Sequence, residues 1–190
     1  MKAVLISIRP EWCSKIASGE KAIEVRKTRP KLPPPFKVYI YCTKDTKKQF
    51  WTGPRYSYVD DHSHNPFDKC GSGKVIGEFL CNLIVEDRTF GHNERLYRAA
   101  CMSACDATAY AVQSPVYGWH IANVKIYDKP RKLNAFYKKC SEYSELGTNC
   151  FDCEHECGTD EVECNSEGRL YLHRAPQSWC YVEEQQCLNI

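Results

Sequence analysis

Residues 1–8, MKAVLISI, are mostly apolar and β-branched, and the run stops at Arg9-Pro10. That pattern predicts a strand delivering the chain to a helix. Pro10 suits the first helical position, where its missing N–H would have no partner in any case. Trp12, Ile16 and Ala17 then fall on one side, and Gly19 suits a left-handed stop. From Ala22 the period changes to two, with Ile23 and Val25 on one face and Ala22, Glu24 and Arg26 on the other. Lys21 sits in the turn just before. Three ionisable groups, Lys21, Glu24 and Arg26, can therefore converge at one edge of an otherwise apolar layer. The plainer reading is an exposed same-face ion pair, contributing about 0–1 kcal/mol.

Further along, Lys31 to Phe36 contains three consecutive prolines and predicts an extended connection. Lys37 to Cys42 alternates, with Val38, Ile40 and Cys42 on one face and Lys37, Tyr39 and Tyr41 on the other. Between Thr43 and Gly73 the chain turns polar and rich in breakers, which predicts a long loop or a hairpin insertion. Its Phe50, Trp51, Tyr56 and Tyr58 lie among Lys47, Lys48 and Arg55. They suit a stacking surface for bases, or they pin the insertion to the body. Val75 to Phe90 reads as two strands joined near Cys81-Asn82, and Asn93 to Gln113 as a helix capped by Asn93. Gly118 to Tyr127 returns as strand, ended by Asp128-Lys129-Pro130, and Asn134 to Lys139 suggests one last helical turn. Strands with two interposed helices make the fold class α+β.

The segment Gly19-Glu20-Lys21-Ala22-Ile23-Glu24-Val25-Arg26 resembles the G-x-K-x-x-[ET]-x-R signature of the ASCH family, in the PUA-like superfamily. Gly73 to Phe79 resembles that family's central strand, and Tyr117-Gly118-Trp119-His120-Ile121 with Val124 to Tyr127 its closing strand. The resemblance covers residues 1–138. It implies a small β-barrel with flanking helices, and it divides the chain into an ASCH/PUA-like domain (1–138) and a cysteine-rich acidic extension (139–190).

No apolar run among the 190 residues approaches the ~18–20 of a membrane span, and the N-terminal stretch lacks a small-residue cleavage site. The expectation is a soluble, cytoplasmic chain without membrane contact. A net charge of +2 conceals an asymmetry: residues 1–140 carry 24 Lys and Arg against 13 Asp and Glu, whereas residues 141–190 carry 2 against 11. A basic body suits a polyanionic partner such as RNA, DNA or a nucleotide, since neutralising phosphates releases counterions. The acidic tail either folds against that body or forms a separate lobe.

Thirteen cysteines without a secretion signal argue for reduced thiols or metal rather than a disulfide framework. Cys13, Cys42, Cys81, Cys101 and Cys105 lie singly in helix or strand patterns, as small apolar residues do. The tail clusters its own: Cys150-x2-Cys153-x3-Cys157-x6-Cys164. Two thiolates two residues apart grip one tetrahedral ion from a single turn, and structural zinc commonly takes four sulfurs. Cys150, Cys153, Cys157 and Cys164 are the expected zinc ligands, with Cys140, Cys180 and His155 competing. Residues 174–184 read as a strand returning to the body or as a lid over the pocket.

The resemblance implies a reader of RNA or modified bases, with some ASCH members acting as amidohydrolases on N4-acetylcytidine. In those enzymes the signature lysine activates a threonine three residues on, and here that position is Glu24, which is no hydroxyl nucleophile. A binding module is therefore favoured, holding RNA, a nucleotide or a modified nucleobase between Lys21, Glu24 and Arg26, with Arg9 beside them and Trp12, Tyr117 or Trp119 to stack on a base. The alternative is a nucleoside amidohydrolase with Lys21 and Glu24 as catalytic residues around a water. A third reading is an interaction module acting through the acidic zinc lobe.

Overall fold

The computed structural model describes residues 1–52, 57–60, 70–112, 114–140, 162–164 and 168–185, with 57–60 and 162–164 as backbone only. In chain order the elements are β1 (Lys2–Ile8), α1 (Pro10–Ala17), β2 (Ile23–Arg26), β3 (Phe36–Cys42), β4 (Lys48–Trp51), β5 (Ser57–Asp60), β6 (Lys74–Asp87), α2 (Glu94–Ala99), α3 (Ala104–Tyr110) and β7 (Val116–Arg131). A 3₁₀ turn (Leu133–Ala135), β8 (Tyr137–Lys139), β9 (Val162–Cys164), β10 (Arg169–Leu172) and β11 (Trp179–Glu183) follow. The class is α+β, as the sequence predicts, and among the described residues no helix is long and apolar enough to cross a membrane.

One six-stranded sheet, ordered β11-β1-β3-β6-β7-β2, forms the frame, with β8-β10-β9 as a second sheet and β4-β5 as a hairpin. β1 and β3 run parallel, and the other pairings of the large sheet are antiparallel. The alternation in β3 has its counterpart in two cores. Val38, Ile40 and Cys42 pack with Val4, Ile6 and α1, while Tyr39 and Tyr41 pack on the other face with Leu5, Phe136, Leu172 and Val182. A third cluster joins Ile23, Val25 and Val116 to α2 and α3. Gly118 permits that packing, since a Cβ there would stand 2.9 Å from Leu96 and 3.1 Å from Ile23.

The sheet is not closed into the barrel that the resemblance implies. β2 and β11 remain its edges, and side chains bridge the gap: Trp179 Nε1 donates to Thr28 Oγ1 at 3.0 Å, and the Lys31 N–H donates to the Tyr181 hydroxyl at 2.7 Å. Prolines at 30 and 33–35 follow the four-residue β2 and add no ladder donors where the chain passes β11.

Four local readings are corrected. Residues 74–87 form one long strand rather than two, and the expected bend appears as a slip of the β6–β7 register between Cys81 and Ile84. The helix expected over 93–113 is two helices. Asn93 Oδ1 caps the first through the Leu96 N–H, Cys101 adopts a left-handed φ of 57° between them, and Ser103 caps the second through the Asp106 N–H. β7 runs past Asp128-Lys129-Pro130 to Arg131, because Pro130, which has no N–H, lies where the ladder skips between Ile126 and Arg131. Residues 133–135 take the helical turn, and 137–139 join a sheet. Of the two readings left open for the tail, β11 is the returning strand, antiparallel to β1 from Lys2↔Glu183 to Ile6↔Trp179.

Candidate functional site

Lys21 is fixed before its side chain is considered. Its N–H donates to the carbonyl of Lys15 at 2.9 Å, across the turn that Gly19 makes with φ of 79°, and the next residue is pinned on both sides. Ala22 donates to Ala99 at the end of α2 and accepts from Ile121 in β7. The ammonium of Lys21 donates to Ala100 O at 2.6 Å, so it satisfies a carbonyl at the C-terminal end of α2, which the break before α3 leaves without an intrahelical donor.

The convergence predicted from spacing is present. Glu24 is bridged on both oxygens, Oε2 by Lys21 Nζ at 3.4 Å and Oε1 by Arg26 Nη2 at 2.9 Å. Nη2 also donates to Ser7 O at 2.6 Å, tying β2 to the end of β1. The side chains of Lys21, Glu24 and Arg26 are 4%, 9% and 14% exposed, which excludes the reading of an exposed surface pair. Arg26 Nε is buried with no hydrogen-bond partner among the described residues.

These three side chains line one wall of a cleft of about 650 Å³. Arg9 stands exposed at its rim, and its guanidinium has no hydrogen bond or ion pair to another described residue. Trp12 lines it too, with its ring 5.0 Å from Lys21 Nζ and 5.6 Å from Lys15 Nζ. The ring is thus already engaged by two cations, which hold it as a support for Lys21.

Two predicted ligand contacts lie elsewhere. Trp119 is wholly buried in the core, edge-on to Phe36 at 6.0 Å and to Trp179 at 5.8 Å, and it does not line the cleft. Tyr117 is also outside it, covered by the Arg29 guanidinium at 5.8 Å. The strand predicted from Gly118 to Tyr127 does not say which of its neighbouring side chains meet the cavity.

The rest of the lining comes from residues that the sequence did not offer as ligand contacts: Asp106 and Tyr110 of α3, Met102 just before it, Ser7 of β1, and Gln177 from the loop before β11. The returning tail therefore also contributes to the rim. Burial pushes the Tyr110 phenol up, the Glu24 charge adds to this, and the Arg26 charge and a backbone hydrogen bond with Lys27 oppose it. Behind the cluster, Cys13 is held as a thiol, raised well above its ordinary value by burial, then by Cys42 and then by the Glu24 charge.

Of the expected zinc ligands, Cys150, Cys153 and Cys157, and the competing His155, lie outside the described residues, as does the side chain of Cys164. Cys140 is buried at the end of β8, and Cys180 packs against the second core, where burial raises its thiol. Among the described residues no group of three or more His, Cys, Asp or Glu is placed to hold a metal. Tyr56 and Arg55 are likewise outside the described residues. Phe50 is wholly buried, so it pins the hairpin to the body.

No protein-family model matches this sequence, and no curated protein does. Among solved structures the fold is similar to ASCH from Zymomonas mobilis, at 20% identity over 69% of this chain and 73% of that one, with a TM-score of 0.49. Two single-substitution mutants of that protein match at 22% and 20% identity, over 69% and 70% of this chain and 74% and 77% of theirs, with TM-scores of 0.48 and 0.46. Identity this low bears on no individual residue of the cleft.

Proposed function

We propose that the protein is a binding module that holds RNA, a nucleotide or a modified nucleobase in the cleft of Lys21, Glu24 and Arg26. The observation that carries this reading is the burial of three ionisable side chains on one wall of a cavity of about 650 Å³. Removing charges from water costs several kcal/mol per ion, which makes a buried ionic cluster beside a cavity a candidate for a binding site. The volume is that of a small-molecule site, ~300–1,000 Å³. Arg26 offers a planar fork, Glu24 an acceptor, and Tyr110 a half-buried aromatic ring. The charge surplus of residues 1–140 supports a polyanionic partner.

The test is equilibrium titration of the full chain with a single-stranded RNA and with the four ribonucleoside monophosphates, at low and high salt. Binding is expected to weaken with salt, and Arg26→Ala to weaken it by about tenfold or more. No binding of either probe by the wild-type chain overturns the reading.

A hydrolytic reading has the Lys21–Glu24 contact in its favour. Lys21, however, directs its ammonium at a carbonyl and a carboxylate, so it is engaged as a donor rather than free as a base. Turnover of acylated nucleosides that is abolished by Lys21→Ala would establish the enzyme.

For the tail, we propose a structural zinc on Cys150, Cys153, Cys157 and Cys164, supported by their spacing. Native mass spectrometry of protein purified without chelator is expected to find one zinc ion, lost to a strong chelator with a rise in reactive thiols. Metal-free protein overturns that assignment.

A further inference from the structure

We propose that the ligand group seated against Arg26 is anionic, so that the cleft takes a phosphate-bearing nucleotide, free or within an RNA strand, in preference to an uncharged nucleoside. This rests on the reading of the cleft as a nucleotide site and narrows it.

The buried cluster holds two cations and one carboxylate, all at 14% side-chain exposure or less, so it carries one positive charge in excess. At the rim Arg9 and Asp106 are both exposed and opposite in sign. Asp106 is moreover engaged by the Ser103 hydroxyl at 2.6 Å. The rim therefore contributes little net charge, and what it contributes is screened by water. The surplus lies inside, where the dielectric is low and a charge is felt most strongly. Filling the cavity with an uncharged ring would strip water from that surplus and give nothing in return, whereas an anion compensates it.

The available donors point the same way. Lys21 spends its ammonium on Ala100 O and Glu24. Nη2 of Arg26 is spent on Ser7 O and Glu24, whereas Nη1, which is not among the buried unpartnered atoms as Nε is, has no acceptor among the described residues. Arg26 is thus the cation with unspent capacity inside, and Arg9, which has no ion pair among the described residues, is the one at the mouth. A phosphate reached by both would leave the rest of the nucleotide to Tyr110 and Met102, which also line the cleft.

The experiment titrates the full chain with adenosine, cytidine, guanosine and uridine, with their 5′-monophosphates, with inorganic phosphate and with a single-stranded RNA. At least one monophosphate is expected to bind about tenfold or more tightly than its nucleoside, and that ratio to fall with added salt and in Arg9→Ala. Glu24→Gln, which raises the surplus by one charge, is expected to tighten monophosphate binding. Because that variant alters the buried cluster and can fail to fold, exposed Arg9 keeps the test decisive. Binding of RNA without free monophosphates places the anion in the phosphodiester and supports the proposal equally. Nucleosides that bind as tightly as their monophosphates overturn the proposal and leave the cleft as a nucleobase site. Inorganic phosphate that binds as tightly as the monophosphates overturns the nucleotide part. No binding of any probe, RNA included, overturns the reading of the cleft itself.

Discussion

Two ionic clusters built from the same residue types stand on different parts of the sheet. In the cleft, two cations flank one carboxylate, and both oxygens of Glu24 are taken. Across the β3–β6 ladder the proportions reverse: Lys37 lies 3.0 Å from Glu184 and 3.8 Å from Glu78, and Tyr127 donates to Glu78 at 2.6 Å. Those charged side chains are 16–26% exposed, so water shares in compensating them. The second cluster clips the residue after β11 to the sheet, alongside the Gln185 N–H that donates to the Tyr39 hydroxyl. The first tethers β2 to β1 and to the end of α2 but leaves a surplus charge facing a cavity. Shared ion-pair chemistry thus yields a charged cavity wall where burial is deep and the charges do not balance. Where solvent reaches the charges, it yields a fastening.

The sharpest way to break this contrast is to remove the shared carboxylate. Glu24→Ala leaves Lys21 and Arg26 buried without their counter-ion, and the expected loss is about 3–5 kcal/mol of unfolding free energy in urea. A loss under about 1 kcal/mol would mean that water reaches the cluster freely, and the two clusters would then differ in position only.

Much of this arrangement was legible in the chain. The period change at Ala22 places Glu24 and Arg26 on one strand face, and Pro10 and Gly19 bracket the helix that brings Lys21 beside them. Burial of both faces of β2 was not legible, because alternation identifies two faces without saying that α2 and α3 will cover one of them. Nor was the rest of the cleft lining. Gln177 reaches the rim because β11 pairs with β1, a contact between chain ends that no local pattern encodes. The barrel rests on resemblance, and the prolines predict an extended connection without saying that the sheet stays open. Trp119 shows the converse failure: a large aromatic beside Glu24 in register suits a stacking role, but its whole ring is spent on Phe36 and Trp179.

A third carboxylate sharpens the contrast from the structural side. Asp87 is as buried as Lys21, yet among the described residues it has no Lys or Arg ion pair: Thr89 donates to it from both N–H and hydroxyl, and Tyr97 donates at 2.7 Å. Burial alone would raise its carboxyl, but the hydrogen bonds from Thr89 and Tyr97 outweigh it and hold the group below its ordinary value. A folded value below the unfolded ~3.9 contributes stability that is present above ~pH 4 and lost as pH falls through the folded value. Asp87→Asn is expected to cost about 1–3 kcal/mol near neutrality. The gap between variant and wild type should then close on acidification, as read by urea midpoints from pH 6 downward. A gap that widens in acid would assign the depressed value to another group. Nucleotide affinity should not follow either curve.

The smallest effect belongs to Lys37. Burial lowers its ammonium, but the hydrogen bond to Glu184 and the charges of Tyr39, Glu78 and Glu184 outweigh that and leave it raised. Its contribution is therefore present through neutral pH and is lost as pH rises through the folded value, above its unfolded ~10.4. Lys37→Met keeps the apolar stem and removes the charge, so it isolates the ionic part. With water at the cluster and three partners sharing one cation, the expected loss is about 0–1 kcal/mol, shrinking with added salt. Ligand affinity should remain at the wild-type level, because Lys37 lies outside the cleft. A loss approaching that of Glu24→Ala would show that exposure of 16–26% does not distinguish a fastening from a buried cluster, and the surplus charge in the cleft would stand as the only difference between the two.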